Sequence, residues 1–322
     1  MQYVDFGRTG LRVSRLGFGG IPVQRIDEPG TRAMLKVEDG CTNFCTYCII
    51  PYARGAVRSL PADQAAEQTK GLARQGYREL VITGIELSTY GRDLPGRPDL
   101  ASLIEAVCHA VPEMRVRLGS LEPRTVTEDF CARLAALPNL CPHFHLSLQS
   151  GSDTVLARMK RKYTTQRFLE SVRLLRTHFD RPALTTDLIV GFPGETEEEF
   201  QETLAFLQRC AFAQMHIFPY SRRQGTPAAS MPGQLSNAEK ASRAHRGAEL
   251  AQAMERSWLT GWIGQTVPVL FEEEKEGFWR GHTPQYIEVR VKGEHLHNQL
   301  RPVTITAAGD SLAYGTVKEE QP

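Results

Sequence analysis

Three cysteines, Cys41, Cys45 and Cys48, lie close together in the stretch DGCTNFCTYCIIPYARG. Three residues separate the first pair and two separate the second, so one loop can bring three thiolates to one face of a cubane iron–sulfur cluster. Because only three ligands are supplied, one iron stays open, as a catalytic metal site keeps a free position. A zinc knuckle and three unrelated thiols are the alternatives, but zinc needs four ligands and no fourth Cys or His lies nearby in the sequence.

The composition is that of a folded globular chain, with 41% hydrophobic and 23% charged residues, and 322 residues allow two domains or one large domain with a small addition. The net charge of +1 creates no general attraction to nucleic acid, so any RNA contact must be local. No apolar run is long enough to span a membrane. Seven cysteines, an odd number and mostly scattered, predict a reducing cytoplasmic location rather than a disulfide framework.

The elements that must position the cysteine loop alternate between strands and helices from about residue 31 to residue 227. This alternation predicts an α/β fold with a parallel sheet, and six such units predict a partial (β/α)6 barrel rather than a closed eightfold one. One predicted helix opens with Thr196 and Glu199 at capping-box spacing. The strand-like runs are AMLKVE from Ala33, ELVIT from Glu79, RVRLGS from Arg115, HFHLSLQ from His143, ALTTDLIVGF from Ala183 and QMHIFPY from Gln214.

The run HFHLSLQ has one apolar and one polar face, because successive side chains of a strand alternate. A strand buried in a parallel sheet would be apolar on both faces. The polar face predicts a wide barrel interior that holds a polar ligand; an edge strand with a solvated face is the alternative. The apolar face comprises Phe144, Leu146 and Leu148, and the polar face comprises His143, His145, Ser147 and Gln149.

The pattern changes after residue 227. One polar, exposed helix is expected from about Ser236, and the short strand-like runs that follow predict a small antiparallel β-barrel. We therefore expect a leader at residues 1–30, a partial barrel at 31–235, a linker helix at 236–260 and a β-barrel at 261–322. The leader reads as a hairpin followed by a glycine-rich turn.

The cysteine motif, C-x-x-x-C-x-x-C with the aromatic Tyr47 just before the last cysteine, resembles that of the radical S-adenosylmethionine (SAM) superfamily. The resemblance implies one [4Fe-4S] cluster held by Cys41, Cys45 and Cys48. It also implies that the open iron binds SAM, whose reductive cleavage yields a 5′-deoxyadenosyl radical. The protein would mainly orient cofactor and substrate and exclude water.

Several longer stretches resemble the tRNA methylthiotransferases, and most closely the branch acting on threonylcarbamoyladenosine next to the anticodon. They include IPYARG, GSLEPR, HLSLQSG and VGFPGE, and the β-rich C-terminus is similar to the RNA-binding TRAM barrel. The leader instead resembles the start of an aldo/keto reductase, without the residues that reductase activity needs. We expect the family's N-terminal domain, with its second cluster, to be absent, and the leftover Cys108, Cys131, Cys141 and Cys210 to be buried thiols.

The resemblance also assigns cofactor-binding positions, residue by residue. Tyr47 matches the aromatic residue that lies beside the adenine of SAM in the family. The residues that match the family's positions after the second and fourth strands are expected near the cofactor. Glycines in the fifth-strand turn would let the backbone approach the ligand closely. The remaining positions are Thr83 and Gly84 after the second strand, Ser147, Gln149 and Ser150 after the fourth, and Gly191, Pro193 and Gly194 after the fifth.

The implied activity is radical SAM methylthio transfer to the anticodon arm of tRNA. The implied partners are tRNA, a reductant such as flavodoxin or ferredoxin, and a separate sulfur donor, with no membrane. One alternative is a chain that binds cluster, SAM and tRNA but cannot insert sulfur. A second alternative is the sister branch that modifies a ribosomal-protein aspartate.

Basic residues offer a second group of functional candidates. They cluster at residues 158–162 and 222–223, and Arg54 and Arg58 follow the cysteine loop. These basic residues either contact phosphates of a tRNA arm or are solvated residues of helix ends and loops. In the terminal barrel, Phe278, Trp279 and Tyr286 are either platforms for bases or core residues, and we expect two of the three in the core. We expect His282 to be an ordinary surface residue.

Overall fold

The computed structural model describes residues 30–318 and the backbone of two short strands before them. Those two strands, β1 (Tyr3–Asp5) and β2 (Arg12–Ser14), pair antiparallel. The remainder of the leader, including the predicted glycine-rich turn, lies outside the described residues. None of the helices in the described part of the chain combines the length and the apolar character that crossing a bilayer requires.

Six parallel strands form the wall of the main unit. Within each of its two sheets the neighbours are hydrogen-bonded in the orders β4-β3-β5-β6 and β7-β8-β9. Two parallel bridges, Val116 with Leu140 and Leu121 with Leu146, connect the sheets. The strands are β3 (Arg32–Asp39), the short antiparallel β4 (Arg58–Ser59), β5 (Glu79–Gly84), β6 (Arg115–Leu118), β7 (His143–His145), β8 (Ala183–Val190) and β9 (Gln214–Pro219).

Helices cross between these strands and bury their apolar sides against the wall. The helix α7 begins at the predicted capping box, in which Thr196 accepts the Glu199 N–H and the Glu199 carboxylate accepts the Thr196 N–H. The partial (β/α)6 barrel predicted from the sequence is therefore confirmed. The helices are α1 (Ile50–Arg54), α2 (Ala62–Arg74), α3 (Leu100–Ala110), α4 (Glu128–Ala135), α5 (Asp153–Arg158), α6 (Thr165–His178), α7 (Glu197–Cys210) and α8 (Asn237–Thr260).

The C-terminal segment is a closed five-stranded β-barrel with the order β10-β11-β12-β14-β13. Four of its strand pairs are antiparallel, as predicted, and β12 pairs parallel with β14 to close it. Trp279 packs in its core with Phe271 and Val289. The strands are β10 (Thr266–Lys275), β11 (Phe278–His282), β12 (Glu288–Val291), β13 (Leu300–Ala308) and β14 (Ala313–Val317).

The loop between β11 and β12 seals the partial barrel at the end where its parallel strands begin. Tyr286 stacks against His143 and His282, with ring centroids 5.2 and 4.6 Å away. Arg117 donates to the carbonyls of Thr283 and Pro284. The expectation that His282 is an ordinary surface residue was wrong, since its ring contacts Tyr286 and its Nδ1 lies 2.7 Å from Glu272 Oε1.

Candidate functional site

The cysteine loop follows β3, at the opposite end of the strands from the terminal barrel. Gly40 starts the loop with φ +92°, and a Cβ there would lie 2.1 Å from the Ala56 carbonyl oxygen. This close approach requires glycine, because any side chain would force the two backbone segments apart. The Cys41 N–H donates to the Gly55 carbonyl at 3.1 Å, so the loop is closed by the segment that follows α1.

Thr46 fixes the middle of the loop. It is buried, its N–H donates to the Met159 carbonyl at 3.1 Å and its hydroxyl donates to the Arg158 carbonyl at 3.0 Å. Its own carbonyl accepts the Ala228 N–H. The segment between Cys45 and Cys48 is therefore held by chain that lies more than a hundred residues away in sequence.

Arg161 contacts the middle cysteine directly. Its Nη1 lies 3.3 Å from Cys45 Sγ, and its Nη2 donates to the Ser147 carbonyl at 3.3 Å. The guanidinium also lies 4.9 Å from the ring centroid of Tyr163, whose hydroxyl donates to the carbonyls of Ser147 and Leu148. Neighbouring tyrosines and Cys45 raise the pKa of Arg161 against the opposing effect of burial. A fixed positive charge therefore faces one sulfur of the loop.

Two glutamates connect the ends of β3 and β5 to the loop. Glu38 is buried, and one carboxylate oxygen accepts the Glu86 N–H at 2.7 Å. Glu86 in turn accepts from the Asn43 side-chain amide at 2.8 Å, and the Asn43 N–H donates to Cys41 Sγ at 3.4 Å. Burial and the nearby Glu86 raise the pKa of Glu38. Carboxylates thus position the first cysteine, and an arginine faces the second.

The three thiols are not arranged around a single metal ion. Among the described residues, no three Cys, His, Asp or Glu side chains converge tightly enough for one metal ion. A cubane is larger, and each of three irons takes one thiolate, so its ligands stand further apart than those of one ion. Burial raises the pKa of Cys41 to about 11, with contributions from Glu86 and the other two cysteines. Because the thiolate is the metal ligand, cluster binding must release the protons of these thiols.

A cavity of about 350 Å³ opens beside Cys48. That volume lies within the usual range for small-ligand sites. Two of the predicted cofactor residues, Tyr47 and Gln149, line it together with Asp187 and Ile189 from β8. Gln149 has a left-handed backbone, with φ +68°, which is unusual away from glycine and is common at functional sites. Tyr47 packs edge-on against Phe192, and burial raises its pKa.

The other predicted cofactor residues are not among the residues that line this cavity. Thr83 and Gly84 end β5, and Gly84 lies against Glu38 and Leu87. Ser147 contributes the carbonyl that accepts from Arg161. Ser150 is fully buried, and its hydroxyl lies 3.4 Å from that of Thr203 on α7, so it is not exposed to a ligand.

The fifth-strand turn is closed by later parts of the chain. Gly191 has φ +69°, and a Cβ there would lie 2.4 Å from Lys240 Cγ on α8. Gly194 donates its N–H to the Gly233 carbonyl at 2.8 Å. Pro193 is buried between these two glycines. The tight approach at Gly191 is therefore made to a protein neighbour.

The basic clusters divide between internal and exposed positions. Arg158 forms a two-pronged ion pair with Glu199 at 2.6 and 2.9 Å, and Arg161 faces Cys45. Lys160 and Lys162 between and beside them are exposed. Arg54 is exposed near Asp39, which also contacts Arg58 and Lys36. Within residues 158–162, the two lysines are thus the most exposed basic side chains and the freest to meet an external phosphate.

Sequence reasoning missed the roles of Arg161 and Asp187. Asp187 was detectable, because it alternates with Thr185 and Ile189 on one face of β8, and its carboxylate lies 3.4 Å from His145 Nε2. Arg161 was not detectable, because its contact with Cys45 depends on the turn after α5, where Lys160 has φ +56°.

Comparison with known proteins identifies the family. The Radical SAM superfamily profile matches residues 35–207. The chain is 38% identical over 285 residues to the threonylcarbamoyladenosine tRNA methylthiotransferase MtaB of Bacillus subtilis (strain 168), covering 87% of this chain and 63% of that protein. It is 35% identical over 301 residues to the tRNA-2-methylthio-N(6)-dimethylallyladenosine synthase of Pelotomaculum thermopropionicum, covering 91% of this chain and 67% of that protein. The chain thus spans roughly two thirds of the length of each.

Solved structures agree on the fold. The radical SAM methyltransferase TsrM from Kitasatospora setae, solved with cobalamin and a [4Fe-4S] cluster, matches 62% of this chain and 39% of that one, with a TM-score of 0.54 and 18% identity. Coproporphyrinogen III oxidase (HemN) from Escherichia coli matches 72% of this chain and 54% of that one, with a TM-score of 0.53 and 16% identity. The chain belongs to the radical SAM superfamily and, within it, to the tRNA methylthiotransferase family, so its cofactors are a [4Fe-4S] cluster and SAM.

Proposed function

We propose that this chain generates a 5′-deoxyadenosyl radical and uses it for methylthio transfer to threonylcarbamoyladenosine in the anticodon arm of tRNA. One observation carries the proposal: a loop with three cysteines, one of them facing Arg161, borders a ligand-sized cavity at the carboxyl ends of parallel strands. In this proposal Cys41, Cys45 and Cys48 hold the cluster. Tyr47, Gln149 and Asp187 contact SAM in the cavity, and Thr83, Gly84 and Ser147 support its rim.

When bound, the cluster and SAM supply the radical that removes hydrogen from an unactivated carbon of the substrate. The residues of the chain provide a dry and charged setting for that chemistry. Arg161 offsets negative charge at Cys45, and the apolar side chains of Ile189 and Phe218 limit water in the cavity. Asp187 and Gln149 offer polar atoms that can orient an amino or hydroxyl group of a ligand.

The substrate assignment follows from relatives that act on tRNA, and the exposed rim suits a single-stranded loop. Phe44 and Tyr52 contact each other edge-on at 5.6 Å and are largely exposed beside the cysteine loop. Exposed aromatic rings can stack on unpaired bases. Arg223 lines the cavity mouth and is exposed, so it can contact a phosphate. A cytoplasmic location follows from a tRNA substrate.

The first test measures iron and acid-labile sulfide after anaerobic reconstitution, and then 5′-deoxyadenosine formed from SAM with dithionite. We expect one cluster per chain and measurable 5′-deoxyadenosine. Cys45→Ala should abolish both, whereas Cys131→Ala, which removes a buried thiol in α4, should leave both unchanged. Equal iron content in wild type and Cys45→Ala would contradict the proposal.

The second test asks whether sulfur is inserted. Transfer RNA from cells lacking the endogenous enzyme and carrying this gene is digested and analysed for methylthio nucleosides. The methylthio derivative of threonylcarbamoyladenosine supports the proposal, and that of dimethylallyladenosine reassigns the substrate. Formation of 5′-deoxyadenosine without either product supports the alternative of a chain that binds cluster, SAM and tRNA without inserting sulfur. Methylthio-aspartate in a ribosomal protein would support the sister branch.

A further inference from the structure

A second cavity, of about 340 Å³, lies where the terminal β-barrel meets the partial barrel. One wall consists of Arg78 and Arg115 at the starts of β5 and β6. The other wall comes from β10 and the segment that leads into β13, including Asn298 and Arg301. Because β5 has six residues, this cavity lies roughly 20 Å from the cysteine end at the usual rise per strand residue. We call it the junction crevice.

Unused hydrogen-bonding groups concentrate in the junction crevice. Arg115 is 9% exposed, and its Nε and Nη2 are bound to Glu79, yet its Nη1 has no acceptor among the described residues. In the same part of the chain, Arg301 Nε and Asn298 Oδ1 also lack partners. A buried guanidinium N–H without an acceptor costs free energy, so a bound anion that accepts from it would be favoured.

The charge around the crevice favours an anion. Arg78, Arg115 and Arg301 all line it, and Glu113 is the single acidic side chain among the lining residues. Arg115 shares the carboxylate of Glu79 with Arg32 and Arg117, so this carboxylate is divided among three cations. Arginine is well suited to phosphate because its planar group offers paired N–H donors.

The other residues that line the junction crevice favour a ligand that has an apolar part as well as an anionic group. Leu270 and Leu300 form an apolar wall, and Leu300 is 50% exposed. Asn298 Oδ1 is an acceptor, so it complements a hydroxyl or an amino group rather than a phosphate oxygen. The cavity volume is within the range that holds a small organic ligand. We propose that the junction crevice binds a nucleotide, with its phosphate on the arginines and its ribose or base between Asn298 and the leucines.

The nucleotide can be free or part of an RNA chain, and binding can be measured without iron. Isothermal titration with AMP, adenosine, inorganic phosphate and a single-stranded RNA hexamer separates these cases. We expect AMP or the hexamer to bind at least about tenfold more tightly than adenosine or phosphate alone, a difference of about 1.4 kcal/mol. AMP binding identifies a free nucleotide as a ligand, and hexamer binding without AMP binding identifies the RNA chain.

Variants of the lining arginines test whether the nucleotide binds in the junction crevice. Arg78→Gln combined with Arg301→Gln should weaken binding at least about tenfold, because it removes two phosphate donors while leaving the Glu79 network intact. Arg173→Gln, on exposed α6 surface, is the matched control and should leave affinity unchanged. Thermal melts confirm folding of each variant. The proposal is overturned if neither AMP nor the hexamer binds, or if phosphate binds as tightly as AMP. It is also overturned if the double variant binds the ligand with normal affinity, which is the result expected if AMP binds at the cysteine end.

Discussion

The two ends of the partial barrel differ in how their buried charged and polar groups are arranged, although the same strands form both ends. At the amino ends of the strands, Glu79 lies fully buried among Arg32, Arg115 and Arg117, and the terminal barrel covers them. At the carboxyl ends, buried polar groups are held by backbone atoms and single side chains around a cavity. The comparison shows that three arginines share one carboxylate where the fold is closed, whereas charged groups at the cysteine end, such as Glu38 and Arg161, make separate contacts around the loop.

The closed end should respond most strongly to substitution. Glu79→Ala leaves three buried arginines without their shared carboxylate, and we expect a loss of about 3–5 kcal/mol in the free energy of unfolding. Urea unfolding measures this loss. Glu67→Ala on α2, whose ion pairs with Lys70 and Arg74 are exposed, should change stability by less than about 0.5 kcal/mol. Similar losses in the two variants would show that the buried network does not stabilise the closed end.

At the cysteine end, we expect the next largest effect from substituting Gly40, which precedes Cys41. Gly55, which follows α1, is the matched comparison. Gly55→Ala places alanine in a backbone region reserved for glycine, with nothing within 4 Å of its Cβ, and should cost about 1–3 kcal/mol. Gly40→Ala adds a clash with the Ala56 carbonyl and should also displace Cys41. We expect Gly55→Ala to retain iron after reconstitution and Gly40→Ala to lose most of it. Equal iron contents would mean that the close approach does not position the loop.

Substitution of Arg161 tests whether the positive charge beside Cys45 affects cluster binding and the cluster's reduction potential. Arg161→Gln removes the cation beside Cys45, and we expect iron affinity to fall about 10- to 100-fold, as for other residues that orient metal ligands. The cluster's reduction potential, measured by redox titration, should also become more negative, because hydrogen bonds to the sulfurs help to set it. Arg161→Lys should restore part of both, and Lys162→Gln is the exposed control. An unchanged potential would argue against this role.

The smallest effect is expected at the Arg158–Glu199 pair. Hydrogen bonds from Arg158 are the main cause that lowers the pKa of Glu199 to about 2, from its usual 4.5. The pair's stabilisation is therefore complete above pH 4.5 and is lost as the pH falls toward 2. Arg158→Gln should raise this pKa, measured by NMR titration of the carboxyl carbon, whereas Lys160→Gln should not. A pKa that stays low in Arg158→Gln would assign the shift to Thr154 and the capping box instead.

Local patterns were sufficient to predict most of the fold. The strand-like runs that begin at Ala33, Glu79 and Ala183 all correspond to observed strands, because alternation of side chains is a local property of an extended backbone. The capping box at Thr196 was predictable for the same reason. The parallel closure of β12 on β14 was not, because pairing between distant strands depends on the whole barrel.

The sequence by itself determined the cysteine spacing, the order of strands and helices and the polar face of the fourth parallel strand. Each of these needs only neighbours in the chain. Only the tertiary structure decided that Arg161 faces Cys45, that Tyr286 stacks on His143 and that Ser150 lies against Thr203 of α7. The physical reason is that Arg161 and Cys45 lie 116 positions apart in the chain, Tyr286 and His143 lie 143 apart, and Ser150 and Thr203 lie 53 apart. Their geometry therefore follows from packing rather than from local conformation.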